Sequence, residues 1–262
     1  MEPVLHRTAF YKLLLRNVLR LFDVPDDQVH FVDGSAFELR KEVMLDFYRL
    51  SAIVDVQELR DCGSEYTHAT RLSTIACPAL PGLAEEYLDS DFQFGGEDQA
   101  GLFAFNEKYL PRLGYRKRAH LMNPMIAGLQ GTKMSSSVEN SKIEFLDDEE
   151  TIRRKIDSSV CEDGVLRGNG LLPMIQHIVL PLCRNRAEKR GKRAPFSVLT
   201  VGEKEYADFS DLEMDFVKGE VTSDALKEAA GGWLAGFLAP LRKVYEESRE
   251  WREIEDLAYG SK

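Results

Sequence analysis

The sequence predicts an α/β chain, with a parallel sheet inside residues 1–147 and an α-helical region over residues 148–262. Three observations carry this. First, "SDFQFGGEDQ" reads as a short strand running into Gly95-Gly96; a helix, "AGLFAFNEKYLPRLG", follows, then a second strand, "RAHLMNPMI". Strand, glycine pair, helix, strand is the pattern of a βαβ unit, whose strands lie parallel. Second, the texture changes after residue 147, where acid-led segments with helical spacing take over. Third, 44% hydrophobic and 30% charged residues are ordinary for a soluble globular protein. A chain of 262 residues is long enough for two modest cores.

Taken in order, residues 2–22 place Leu13, Leu14, Leu15, Val18, Leu19, Leu21 and Phe22 at amphipathic-helix spacing, and "VPDD" ends the helix. "QVHFVDG", 28–34, reads as a strand closed by Asp-Gly. Residues 36–60 return to helical spacing. "TIACPALPGLAEEYLD" is an apolar run punctuated by Pro78, Pro81 and Gly82. The βαβ pattern follows. Beyond it, "DDEETIRRKIDSSV" puts acids at a helix start and Arg153, Arg154 and Lys155 further on, as the helix dipole favours. "GLLPMIQHIVLPLC" is a buried helix that tolerates Pro173 near its start. The remainder, from Ser223, reads as helices broken at Gly231-Gly232, with Trp233 and Phe237 in the core.

Charge and cysteine usage narrow the function. The formal net charge of −10 disfavours a generic nucleic-acid coat. One local basic cluster, Arg184, Arg186, Lys189, Arg190, Lys192 and Arg193, reads either as a solvated surface loop or as a phosphate-contacting one. The four cysteines, Cys62, Cys77, Cys161 and Cys183, match no zinc spacing and are expected to be reduced thiols in a cytosolic protein, with Cys77 buried and inert. No apolar run reaches the roughly 18 residues of a membrane span. The N-terminal stretch has arginines and a lysine where a signal peptide needs a continuous apolar region, and Glu2 and Asp23 do not suit a mitochondrial presequence. The expected location is cytoplasmic.

The chemistry concentrates in "AGLQGTKMSSSVENSKIEF", residues 127–145. Gly128 and Gly131 let backbone approach a ligand closely. The Lys133 ammonium suits polyphosphate, and Ser135, Ser136 and Ser137 donate hydrogen bonds without bulk. The P-loop pattern GxxxxGK[ST] is absent. In open α/β sheets ligands bind beyond the carboxyl ends of the strands, where Asp98 and Gln99 lie. The bland readings are a polar surface loop for 127–145, an ordinary turn at Gly95-Gly96, a helix cap for Asp98 and a structural role for His120.

"GTKMSSS" resembles the KMSKS loop of class I aminoacyl-tRNA synthetases. Together with "RAHLMNPMIAGLQG", "DFQFGGEDQ", "KEVMLDFYRLS" and "NEKYLPRLGY", it resembles the tyrosyl-tRNA synthetases of archaeal and eukaryotic cytosolic type over residues 10 to about 250. The sister tryptophanyl family fits less well. The resemblance implies a Rossmann-like catalytic domain followed by a helical anticodon-binding domain. It implies ATP-dependent activation of tyrosine and transfer to tRNA, with Mg²⁺ carried on the ATP phosphates and a homodimer or pseudo-dimer as the assembly. It places Lys133, Ser135 and Ser136 on the phosphates as pyrophosphate leaves, with Met134 and Ser137 beside them. Gly96, Asp98 and Met122 would border the nucleotide: backbone approach, ribose hydroxyls and adenine in turn. Gln99 would face the amino end of the amino acid. No residue is assigned to a metal.

The same resemblance exposes three departures. None of His6, His30, His68, His120 and His177 begins the family's HxGH motif, so the expectation is a chain that starts inside the catalytic domain and keeps the second half of its sheet. The family's tyrosine, glutamine and aspartate that grip the substrate align with Cys77, Pro81 and Ala84. A site that hydrogen-bonds a substrate hydroxyl rejects its analogue by about 10⁴–10⁵, and that lever is missing here. At the anticodon end, "SVLTVGEKEYADF" lacks an aromatic-Gly-Gly element, and "VTSDALKEA" puts Thr222 and Ala225 where the family has histidine and aspartate, with Asp224 one residue away. Three functions stay open: an incomplete or divergent tyrosine–tRNA ligase, a catalytically reduced pseudo-synthetase serving as a dimer half or tRNA-binding partner, and a paralogue that activates another small molecule.

Overall fold

The computed structural model describes residues 2–131 and 140–260, with side chains from residue 4 onward. The chain divides into two compact units: residues 31–125, and residues 1–30 together with 126–262.

The unit of residues 31–125 carries the parallel sheet. Its helices are α2 (Lys41–Ser51), α3 (Val56–Arg60), α4 (Leu72–Ala76), α5 (Ala79–Tyr87) and α6 (Ala100–Tyr109). Strand β1 (Phe92–Gly96) pairs in parallel with β2 (Ala119–Asn123), Phe94 opposite Leu121 and Gly96 opposite Asn123. The expected strand, helix, parallel strand is therefore present. Phe92, Phe94 and Leu121 share one face of this pair and are all at least half exposed. The opposite face turns His120 onto Phe103 of α6, rings stacked at 4.5 Å. Parallel strands are ordinarily covered on both faces.

Asp46 organises the helices of this unit. It is buried in α2 and accepts hydrogen bonds from Tyr87 at 2.7 Å, from Tyr115 and from Arg49 at 3.0 Å. Burial alone would raise its carboxyl; the bonds from Tyr115, Tyr87 and Arg49 outweigh that and hold it below the ordinary carboxylate value. A depressed folded-state value stabilises the fold above the unfolded value, and the effect fades as pH falls through the folded one. Unit 31–125 is thus expected to lose stability on acidification below about pH 4, the unfolded aspartate value. The Tyr87 and Tyr115 ring signals in an NMR pH titration will report the loss. In Asp46→Asn that component of the pH dependence should vanish.

The second unit is helical. Helix α1 (Glu2–Leu21) lies along α12 (Arg249–Tyr259), with Phe10 edge-on to Trp251 and Tyr259. Helix α7 (Glu149–Asp157) starts at Asp148, whose side chain accepts from Thr151 N–H at 2.7 Å. The long α11 (Ser223–Glu247) packs against α7 and against strand β3 (Leu199–Val201), which forms an antiparallel hairpin with β4 (Lys204–Tyr206). Helix α10 (Phe209–Val217) follows the hairpin. Helix α8 (Leu172–Met174) runs through a π turn, Ile175–Val179, into α9 (Leu180–Arg190). The wider turn sits just before Pro181, which has no N–H to continue the ladder.

Several expectations are corrected. Residues 28–34 form no strand; Val29 is extended, yet no neighbouring strand takes its hydrogen bonds. Gly231-Gly232 does not break α11, because Ala230 and Gly231 are buried against α7 and packing outweighs propensity. The basic cluster is the end of α9 rather than a loop up to Arg190, and most of it is committed internally. Arg186 sits over Phe237 and donates to Leu21 O; Arg184 pairs with Asp208; Lys189 and Arg190 bind Asp23. Trp233 and Phe237 are core, stacked at 4.7 Å, as the spacing suggests. By packing, α1 and the segment from Ile126 onward group with the C-terminal helices.

Candidate functional site

The carboxyl ends of β1 and β2 bring together the first group of candidate residues. The chain leaves β1 at Gly96, makes one 3₁₀ turn, Glu97–Gln99, and enters α6. A Cβ on Gly96 would meet Asp98 Oδ1 at 2.5 Å and the Met125 sulfur at 3.5 Å. The Asp98 carboxyl therefore folds over the Gly96 backbone, next to the segment that follows β2. Met125 N–H donates to Glu97 Oε2 at 3.4 Å and closes that segment onto the turn. Met122 and Asp98 are exposed and Gln99 is half-buried. Glu97, Asn123 and Met125 were not singled out by the sequence; the Asn123-Pro124 turn signal was available for them.

Behind this end lies a buried polar cluster. Glu85 Oε1 accepts from Asn106 Nδ2 at 2.7 Å and meets His120 Nε2 at 2.9 Å; His120 Nδ1 meets Glu107 at 3.2 Å. Glu85 and Asn106 are at most 2% exposed. His120 is thus a structural strut between α5, α6 and β2, as its position suggested.

The three substituted positions sit on α4 and α5. Cys77 caps α4 and is exposed, which corrects the buried expectation. Burial first, and the adjacent Cys77 thiol among lesser causes, pushes the Tyr66 hydroxyl up to about 12. Pro81 is half-buried in α5, and Ala84 packs against Phe37, Val43 and Leu83. Ala84 offers that neighbourhood a methyl group and no acceptor.

In the helical unit, the structure describes both flanks of the lysine-serine segment. Lys133, Met134, Ser135, Ser136 and Ser137 lie outside the described residues. The flanks are tied: Leu129 N–H donates to Ser141 O at 2.9 Å, and Leu129 O accepts from Val160 N–H at 2.8 Å. Gln130 donates to Ser158 O at 3.2 Å, and Arg154 to the Asn140 side chain at 2.9 Å. Two close backbone approaches make this base possible. Gly131, at φ +71°, lies against Gly168 O, and Gly170 lies against the Leu129 carbonyl. A side chain at either position would overlap backbone.

At the other end of this unit, Thr222 is the N-cap of α11, accepting from Ala225 N–H at 3.2 Å, while Asp163 accepts from Ser223 N–H at 2.5 Å. Asp224 is exposed on the first turn. The β3–β4 hairpin turns at Gly202, φ +61°, where Val201 precedes the glycine.

A family model described as tRNA synthetases class I (W and Y) matches residues 1–239. The cytoplasmic tyrosine–tRNA ligase of Danio rerio is 39% identical over 97% of this chain and 47% of its own length. That of Saccharomyces cerevisiae is 33% identical over 99% of this chain and 67% of its own. The crystal structure of tyrosyl-tRNA synthetase from Archaeoglobus fulgidus, complexed with L-tyrosine, superposes with a TM-score of 0.74 at 28% identity, covering 87% of this chain and 70% of that one. This chain spans about half the length of the vertebrate relatives it matches. The α/β Rossmann-like architecture with a helical region is that of these synthetases.

Proposed function

The chain belongs to the class I tRNA synthetases of the W and Y group, and from that premise we propose that it carries part of a tyrosine–tRNA ligase: ATP-dependent activation of tyrosine, then transfer to tRNA. The observation that carries this is the lysine-serine segment "GTKMSSS" on a base clamped by Leu129, Ser141 and Gly170, in a chain whose β1 end folds Asp98 over Gly96. In this reading Lys133, Ser135 and Ser136 hold the ATP phosphates and stabilise the charge that gathers on departing pyrophosphate. Met134 and Ser137 complete that loop. Gly96 admits backbone to the nucleotide, Asp98 accepts from the ribose hydroxyls and Met122 borders the adenine. Gln99 meets the amino group of the amino acid. Mg²⁺ arrives on the ATP phosphates, as is usual for this ion. The chain works in the cytoplasm, as part of a homodimer or pseudo-dimer.

Tyrosine-dependent ATP–pyrophosphate exchange tests the proposal. Exchange above background is expected, and Lys133→Ala should lower it by about 10²–10³, the usual effect of removing one electrostatic stabiliser. A second reading, a catalytically reduced partner that binds tRNA, is favoured by Ala84, packed into apolar neighbours at the position meant for a phenol acceptor. Retained tRNA binding with no exchange under any amino acid would select it over the ligase.

A further inference from the structure

A cavity of about 180 Å³ lies within the helical unit, lined by residues of that unit alone. Leu129 and Ile143, one on each flank of the lysine-serine segment, form one wall; Met174, Leu182, Trp233 and Phe237 form the other. Trp233 and Phe237 are stacked nearly parallel and present aromatic surface. The charged side chains on its rim, Lys142 and Glu144, are joined to each other at 2.8 Å. Among the described residues, an occupant therefore meets apolar wall and no net charge. Apolar cavities near 150 Å³ stay dry and take up benzene-sized molecules. A zwitterionic amino acid or a nucleotide would lose its hydration there without a compensating partner.

We propose that this cavity is a binding site for a small neutral aromatic molecule of one or two rings. Bound there, it touches both flanks next to the Leu129–Ser141 hydrogen bond and holds them against α9 and α11. The site is independent of the role assigned to Lys133, since every wall named belongs to other residues.

Fluorobenzene is a suitable probe, followed by ¹⁹F NMR on the full chain. The expected result is saturable line broadening, with slowed amide hydrogen exchange confined to peptides covering 127–131 and 140–145. Ala127→Leu and, separately, Leu182→Phe fill the cavity and should weaken binding at least about tenfold, the factor that 1.4 kcal/mol of lost contact produces. Saturating tyrosine or ATP should leave the signal unchanged. Non-saturable broadening, or equal broadening in a folded filled variant, overturns the proposal; so does displacement by tyrosine or ATP, which would make the cavity part of the substrate site. If both variants fail to fold, the wild-type saturation and exchange footprint decide: a footprint elsewhere overturns it.

Discussion

Gly170→Ala is expected to destabilise the helical unit by about 3 kcal/mol or more, the upper end for forced overpacking. The added Cβ would overlap the Leu129 carbonyl and come within 2.9 Å of Gly128 O. Both neighbours are backbone, so no side chain can swing away. Relief requires Leu129 to move, and Leu129 is held by Ser141 on one side and Val160 on the other. Gly131→Ala should behave similarly: it meets Gly168 O and adds the strain of a positive φ, about 1–2 kcal/mol. Urea unfolding followed by tryptophan fluorescence will measure both, because Trp233 and Trp251 both lie in this unit. An unchanged midpoint in Gly170→Ala would show that the base of the segment yields freely.

The second large effect is expected at His120. His120→Phe keeps a ring against Phe103 but removes the group that meets Glu85 and Glu107. Glu85 would keep only Asn106 as a partner in a buried site. Leaving a buried acceptor short of a hydrogen-bond partner costs about 1–3 kcal/mol, more where the group is charged. Glu85→Leu combined with His120→Phe should recover much of that loss, since no stranded carboxyl remains. Unit 31–125 contains neither tryptophan, so far-UV circular dichroism and hydrogen exchange of β1 and β2 peptides are the appropriate measurements. A double variant no more stable than His120→Phe alone would contradict the pairing argument.

The parts of this fold that were legible in the sequence are those set by local chemistry. Gly95-Gly96 between a strand and a helix announces a βαβ crossing, and β1 and β2 follow from it. Asp148 before an acidic first turn announces α7. What was not legible depends on distant partners. Residues 28–34 have strand composition, but composition supplies no neighbour to complete a ladder. Gly231-Gly232 looks like a break until α7 is packed against it. Cys77 stands in an apolar run, yet its place at the end of a short helix leaves it exposed. At the candidate site, the lysine and serines are readable as a motif, and Gly96 with Asp98 as a strand-end pair. The clamp under the segment is not, because Gly170 and Val160 reach it from far along the chain.

The bare face of the β1–β2 pair has a consequence for cellular supply. Phe92, Phe94 and Leu121 stand in water on a strand pair whose outer edges, among the described residues, pair with nothing. Surfaces of this kind are what chaperones and proteases sample in a triage that tracks exposed apolar strand. Covering those three side chains, whether by more of the same polypeptide or by another chain, is then expected to slow that triage and lengthen the time the polypeptide persists.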